Sequence, residues 1–174
     1  MKQINVPLEA DYWASEQINS PLVLIDAFFT YDNLPNYKKM LKDLISYSCK
    51  TSIYKQEYPG QVFILYLSLR SLVRACYSLQ FKANKWKGNN SSRTHLLQGT
   101  LTDEEFNNPF LVLQNVFREF SIQDFDFFLS ECVHLCLSPY LTDFNCNADM
   151  LLQHLLKIMG AAKIIQSGNI NNKN

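Results

Sequence analysis

The sequence predicts an all-α fold, a compact bundle of about six helices in a single domain over residues 1–174. Its long segments repeat apolar residues at spacings of three and four, which is the period of an amphipathic helix. Outside those segments, no stretch of four or more residues alternates apolar and polar side chains as a half-buried strand does. The composition is 47% hydrophobic and 13% aromatic in 174 residues, which is enough to fill one core and excludes general disorder.

Paired cap and proline signals predict the first two helices. Ser20 is a residue that caps free amides, and Pro21 lacks the amide N–H that a first turn leaves unbonded. Asn33 and Pro35 repeat this signal after a break near Asp32. On the second helix, three lysines fall off the apolar stripe and are expected to be exposed: Lys38, Lys39 and Lys42.

The third predicted helix follows Gly60 and is expected to lie at the centre of the bundle. One apolar seam has spacings of 3, 4, 3, 4 and 3, and consists of Val62, Leu65, Leu69, Leu72, Cys76 and Leu79. A second apolar face lies beside it and consists of Phe63, Tyr66, Val73 and Tyr77. A helix that is apolar around most of its circumference is usually contacted by several others.

A change of composition separates the two parts of the chain. Residues 82–100 are polar, basic and rich in Gly, Asn and Ser, which is typical of a linker. Beyond this linker, Thr102 to Glu105 has the spacing of a capping box and opens one short turn. Three further helices are expected. Pro109, Ser121 and Asn147 mark their starts, and Gly168 marks the end of the last one.

Shifting the chain by 88 residues superposes these signals and suggests an internal duplication. Residues 19–45 and 107–133 then share four identities in 27 positions, and the order of proline, break and cap is the same. The two three-helix halves would be 19–81 and 107–167. The alternative is that any two amphipathic helices with similar starts align at helical spacing.

Charge and cysteine usage favour a cytoplasmic chain. With 16 basic and 16 acidic residues, the formal net charge is zero, which argues against a surface given over wholly to nucleic acid. The first eleven residues lack the apolar stretch of a signal peptide, and five cysteines are an odd number that indicates reduced thiols. Arg70 and Arg74 interrupt the most apolar stretch, so we expect no membrane span.

Metal-ligating patterns are weak in this sequence. Glu131 and His134 form a single Glu-x-x-His, whereas a carboxylate-bridged di-iron site needs two such motifs and two further glutamates. Another possible set has no familiar zinc spacing: Cys132, Cys136, Cys146 and His154. We therefore predict no bound metal.

Catalytic patterns are equally weak. The chain has no Gly-x-Ser-x-Gly elbow, its three histidines are scattered, and its five glycines form no phosphate-binding loop. We predict no cofactor, and nothing in the sequence supports an enzyme.

Two groups of residues are candidate binding sites. Arg70 and Arg74 lie one turn apart on the third helix. Together with Tyr66 they are a candidate site for an anion or an acidic partner. The alternative is that the two arginines only extend their charged ends to the edge of the bundle. The linker interleaves basic residues with one aromatic residue. Basic residues can contact phosphates and the aromatic ring can stack on a base, so the linker is a candidate nucleic-acid contact. The alternative is a solvated connector whose Trp packs on the bundle. Its residues are Lys82, Lys85, Trp86, Lys87 and Arg93.

Three functions follow from these patterns. The first is a helical interaction or regulatory module without catalysis, which acts through a protein partner or self-association. The second is a nucleic-acid-binding accessory factor that uses the 82–93 segment and the face of Lys38, Lys39 and Lys42. The third is a small-ligand binder or enzyme with a pocket between the two halves.

Overall fold

The computed structural model describes residues 8–49, 54, 58, 60–82, 101–138 and 148–171. A 3₁₀ helix, Leu8–Tyr12, comes first. The α-helices that follow are α1 (Pro21–Tyr31), α2 (Leu34–Ser48), α3 (Gly60–Leu79), α4 (Asp103–Asn107), α5 (Pro109–Glu119), α6 (Ile122–Leu137) and α7 (Ala148–Asn171). These ranges contain no strand, and the predicted all-α fold is confirmed.

Local hydrogen bonds explain where the helices begin. Ser20 Oγ accepts a hydrogen bond from the Val23 amide, and Asn33 Oδ1 accepts one from the Asn36 amide. Thr102 and Ser121 each form a complete capping box, in which side chain and backbone groups bond reciprocally. The predicted end of the last helix at Gly168 is wrong, because α7 continues to Asn171.

Helix α3 is the centre of the bundle, as its sequence predicts. It packs against α1, α2, α5, α6, α7 and the 3₁₀ helix, and every residue of its predicted seam is buried. The expected second apolar face is only partly correct. Val73 is 1% exposed, but Phe63 and Tyr77 are 53% and 43% exposed.

The 3₁₀ helix and the residues after it cover another side of α3, which the sequence did not predict. Trp13 is 5% exposed, and its indole Nε1 donates a hydrogen bond to Ser71 Oγ over 3.2 Å. Its ring packs edge-on against Phe28 of α1. This contact fixes the N-terminal segment on α3 and places Glu9 beside that helix.

The two halves of the chain have corresponding helices. Three pairs of helices begin 88 positions apart: α1 and α5, α2 and α6, and α3 and α7. Helix α1 packs on α3 as α5 packs on α7, and α2 and α6 pack on each other across the halves. The correspondence is imperfect, because α3 packs on α6 more extensively than α7 packs on α2. The common offset is what a duplication requires, and the duplication stays a prediction.

Tyr37 and Phe28 form the tightest ring pair between α1 and α2. Their rings are stacked with centroids 3.9 Å apart, and the Tyr37 hydroxyl donates a hydrogen bond to the Phe28 carbonyl over 3.1 Å. Burial raises the pKa of Tyr37 above its ordinary value, so the hydroxyl stays protonated and donates.

Replacing Tyr37 tests how much its hydroxyl contributes to the free energy of unfolding. We expect Tyr37→Phe to lower the free energy of unfolding by about 1 kcal/mol, because a buried acceptor loses its donor. Tyr37→Ala should cost about 3–5 kcal/mol through the cavity that it leaves. Urea unfolding followed by circular dichroism measures both. Tyr77→Phe, in which an exposed hydroxyl is lost, is the matched control and should change stability by less than about 0.5 kcal/mol.

An ion pair fastens the short helix α4 to α7. Lys157 Nζ lies 2.6 Å from Glu105 Oε1, while Glu105 Oε2 accepts a hydrogen bond from the Thr102 amide. Burial alone would raise the pKa of Glu105, but the hydrogen bonds from Lys157 and Thr102 outweigh it and lower the pKa below its ordinary value of 4.5.

This lowered pKa predicts acid-sensitive stability. The contribution of the Glu105 carboxylate to the free energy of unfolding is fully present above pH 4.5, and it is lost as the pH falls through the lowered pKa of the folded state. In Glu105→Gln, which keeps an acceptor for the capping box, we expect a weaker loss of stability between pH 5 and pH 3. Urea unfolding at a series of pH values measures the difference. If the free energy of unfolding had the same pH dependence in the wild type and in Glu105→Gln, the assigned ion pair would be contradicted.

Candidate functional site

One line of side chains along α3, continued by Phe81 in the turn after its end, combines aromatic rings with two arginines. Successive members are three or four residues apart, so those that lie on α3 fall within an arc of about 80° of the helix surface. We call this line the aromatic–arginine stripe, and it consists of Phe63, Tyr66, Arg70, Arg74, Tyr77 and Phe81.

The two arginines at the middle of the stripe are bound by acidic side chains of the same chain. Arg74 forms a two-pronged pair with Asp126 of α6, with Nη1–Oδ1 and Nη2–Oδ2 distances of 2.9 and 2.5 Å. Arg70 Nε lies 3.2 Å from the same Asp126 Oδ1. Burial disfavours the charge of Arg70, but the bond to Asp126 outweighs it and raises the pKa of Arg70. Asp126 thus holds both arginines in fixed positions.

Glu9 of the 3₁₀ helix completes the ion-pair cluster. Its Oε1 is 3.6 Å from Arg70 Nε and 3.5 Å from Arg74 Nη1. That oxygen is buried and makes no hydrogen bond, so its interaction with the arginines is electrostatic only. Two positive and two negative side chains therefore balance at the centre of the stripe.

Aromatic rings occupy both ends of the stripe. Arg70 lies 5.9 Å from the centroid of the Tyr66 ring, at the distance of a cation–π contact, and Tyr66 lies 6.0 Å from Phe63. At the other end, Tyr77 packs edge-on against Phe117 with 5.2 Å between ring centroids. Phe81 is 79% exposed.

The structure brings together Arg70, Arg74 and Tyr66, the three residues that the sequence singled out. Acidic groups of the chain itself already face the two guanidinium groups, in the positions that an acidic partner would take. A contact of this trio with an anion or an acidic partner stays a prediction.

Most of the predicted nucleic-acid contacts lie outside the described residues: Lys85, Trp86, Lys87 and Arg93. Lys82 is described and is exposed just beyond α3. On α2, Lys39 and Lys42 are exposed as expected, but Lys38 is only partly exposed, and burial lowers its pKa. The predicted lysine face is therefore narrower than expected.

The residues weighed as metal ligands are dispersed. His154 Nε2 is 3.0 Å from Glu119 Oε2, and Cys132 and Cys136 are buried in α6, while Cys146 lies outside the described residues. Within the described ranges, no group of three or more His, Cys, Asp or Glu side chains is placed to hold a metal ion.

A groove of about 460 Å³ lies at α2, α3 and the end of α1. It is lined only by residues of the first half, so it does not lie between the halves, where the sequence placed a pocket. None of Arg70, Arg74 and Tyr66 lines it. Its aromatic and charged lining consists of Tyr31, Tyr37, Tyr54, Asp32, Asp43 and Lys39.

Comparison with known proteins gives no relative. No protein-family model, curated protein or solved structure matches the chain. In the part that the structure describes, α3 is long and apolar enough to cross a membrane, and 61% of its apolar window is buried inside the fold. Length and composition of one such helix are weak support for a span, because the core helix of a globular protein has the same properties.

Sequence reasoning missed both acidic partners and the exposure of the stripe. Asp126 lies in the run Phe125–Phe128, where an acid among large apolar residues is a signal that it faces a basic group. Glu9 carries no comparable signal, since its position depends on how the 3₁₀ helix packs on α3.

Asp126→Asn tests the cluster that holds the stripe. The variant leaves two partly buried arginines with Glu9 alone, and we expect the free energy of unfolding to fall by about 1–3 kcal/mol. Glu16→Gln removes an exposed acid and should change stability by less than about 0.5 kcal/mol. Urea unfolding of both variants measures the difference, and equal effects would mean that Asp126 is not a structural partner.

Proposed function

We propose that this protein is a non-catalytic helical interaction module and that the aromatic–arginine stripe is the surface on which it binds a protein partner. The single observation that carries the proposal is the exposure of Phe63 and Tyr77 on one line of α3, with Phe81 exposed in the turn just beyond its end. A helix end or loop can expose one aromatic residue by chance, but here three lie along one line, on both sides of the ion-pair cluster, and exceed the scattered single exposures that are normal.

The composition of the stripe supports a protein partner. Tyr and Arg are among the residues that contribute most to binding at protein interfaces, and Phe is enriched there. The side chains also stand on a rigid, central helix, and the arginines are held by Asp126. Less side-chain freedom is then lost on binding, which favours affinity.

The charge balance supports a protein over a nucleic acid at this surface. Glu9 and Asp126 offset Arg70 and Arg74, so the stripe carries no excess positive charge to attract phosphates.

We further propose that the protein acts in a reducing compartment such as the cytoplasm. Cys76, Cys132 and Cys136 are buried as thiols. Burial raises the pKa of the Cys136 thiol to about 11, which keeps it protonated and unreactive.

The groove supports a second candidate function, the binding of a small ligand. Its volume lies within the range of ligand sites, and Asp32, Asp43 and Lys39 are polar groups among its tyrosine rings. A thermal-shift screen tests it: a compound that binds there should lose its effect in Asp43→Ala, while the same compound should keep its effect in Asp149→Ala, which lies outside the groove.

Site-specific photo-cross-linking tests the proposed docking surface. With benzoylphenylalanine in place of Phe63 or Phe81 in the full chain, illumination of the producing cells should give one discrete protein adduct. The adduct at position 63 should disappear when Phe81→Asp is added, because both positions belong to one surface.

Tyr31 provides the matched control, since it is 53% exposed like Phe63 but lies on α1. Benzoylphenylalanine at position 31 should not give the same adduct. Equal cross-linking at positions 31, 63 and 81, or none at 63 and 81, would overturn the stripe as a docking surface.

A further inference from the structure

We propose that the groove binds a small organic amine in its protonated form, with the ammonium group beside Asp43 and Tyr54 and the apolar part between α2 and α3. This inference rests on the second candidate function, because it names the chemical class of ligand for the same groove. It is carried by the shape of the groove together with the side chains that line it.

The groove lies between α2 and α3, which pack on each other only sparsely. Its walls are one side of each helix, because the lining residues of both recur at spacings of three and four. Its volume of about 460 Å³ lies near the lower end of the range for small-molecule sites, which favours a compact ligand. Apolar side chains of both helices line the walls and suit a hydrocarbon part: Met40, Leu44, Val62, Ile64 and Leu65.

Asp43 provides a negative charge in this lining. Its side chain is half-buried on α2, and none of the described residues donates a hydrogen bond to its carboxylate or forms an ion pair with it. A hydrogen bond between two charged groups is stronger than one between neutral groups. An ammonium group is therefore the donor that this carboxylate would bind most strongly.

Lys39 does not neutralise Asp43. It is exposed one turn before Asp43 on α2, and no ion pair joins the two side chains. A lysine one turn before an acid is also the less favourable order for such a pair on a helix.

Asp32 is the second carboxylate of the lining. Its Oδ1 already accepts hydrogen bonds from the Asn33 amide and the Asn36 side chain, so its charge matters more here than its capacity to accept. With Asp43 and Lys39, the described lining carries two negative charges and one positive charge, which disfavours an anionic ligand.

Tyrosine rings give the groove a second feature that suits an amine. Tyr54 lies so close to Asp43 that the carboxylate charge helps to raise the pKa of Tyr54, after the larger effect of burial. The face of a tyrosine ring attracts a cation, and its edges contact the alkyl groups next to the nitrogen. A metal ion suits the groove less well, because no described group of three or more His, Cys, Asp or Glu side chains is placed to hold one.

Methionine methyl resonances test the proposal in the full chain. Met40 lines the groove, while Met150 and Met159 lie on α7 outside it, so ¹³C-methyl labelling provides one reporter and two internal controls. Phenylbutylamine should shift the Met40 resonance alone, with a saturable dissociation constant of about 1 mM or below. Phenylbutanol and phenylbutyrate have the same hydrocarbon part and should bind at least about tenfold more weakly.

Substitution of Asp43 tests the position of the ammonium group. Asp43→Asn should weaken binding of phenylbutylamine at least about tenfold and leave binding of phenylbutanol unchanged. Asp149→Asn removes the same charge from an exposed site outside the groove, and it should change the affinity by less than about twofold. Circular dichroism shows whether each variant is folded. Equal effects of the two substitutions overturn the proposal.

Substitution of Lys39 gives a gain of affinity, which damage to the fold cannot produce. Lys39→Gln removes the positive charge from the lining, so phenylbutylamine should bind about two- to threefold more tightly. Lys42→Gln removes the same charge from an exposed position outside the groove and should leave the affinity unchanged. An affinity that Lys39→Gln does not raise above that of Lys42→Gln overturns the proposal.

The three probes separate failure of this inference from failure of the groove as a ligand site. Preference for the amine, with the expected changes at Asp43 and Lys39, supports both. If phenylbutanol or phenylbutyrate shifts the Met40 resonance as strongly as the amine does, the amine is overturned and the groove stays a ligand site. If none of the three shifts it at millimolar concentration, both are overturned.

Discussion

The balance of charge on α3 is the constraint on which the rest of the structure depends. A helix that packs on six other elements cannot keep two arginines in water on every side, and a partly buried guanidinium without a counter-charge is costly. Asp126 and Glu9 provide that counter-charge from α6 and from the 3₁₀ helix. The position of both elements against α3 is therefore tied to the same two arginines, which they partly cover, while Phe63 and Tyr77 stay exposed on either side of them.

Features decided by neighbours along the chain were predictable from the sequence, and features decided by packing were not. The starts of α1, α2, α4 and α6 follow from caps that act within one helical turn. The apolar seam of α3 likewise identifies its buried side. Periodicity cannot say how many helices surround a helix, and so it assigned Phe63 and Tyr77 to the core. Glu9, Asp126 and Trp13 reach α3 from distant parts of the sequence, and no local pattern records such contacts.

The site lies where the two halves of the chain differ. Asp126 of the second half corresponds, at the offset of 88, to Lys38 of the first, so the charge that holds the arginines has no equivalent on α2. Arg70 and Arg74 in turn correspond to Ile158 and Ala162, which are buried in α7. The closer packing of α3 on α6 than of α7 on α2 is the structural counterpart of these differences. Whatever the origin of the two halves, only the first presents an arginine pair.

The internal neutralisation of the arginines also affects how fast a complex can form. A surface whose charges cancel over a few ångströms produces no field at long range, so it does not draw a partner in by diffusion along an electrostatic gradient. Encounter then proceeds at the unsteered rate of about 10⁵–10⁶ M⁻¹ s⁻¹. Under the proposed function, recognition would begin only once the aromatic ends of the stripe are in contact, and the lifetime of the complex, rather than its rate of formation, would set its affinity.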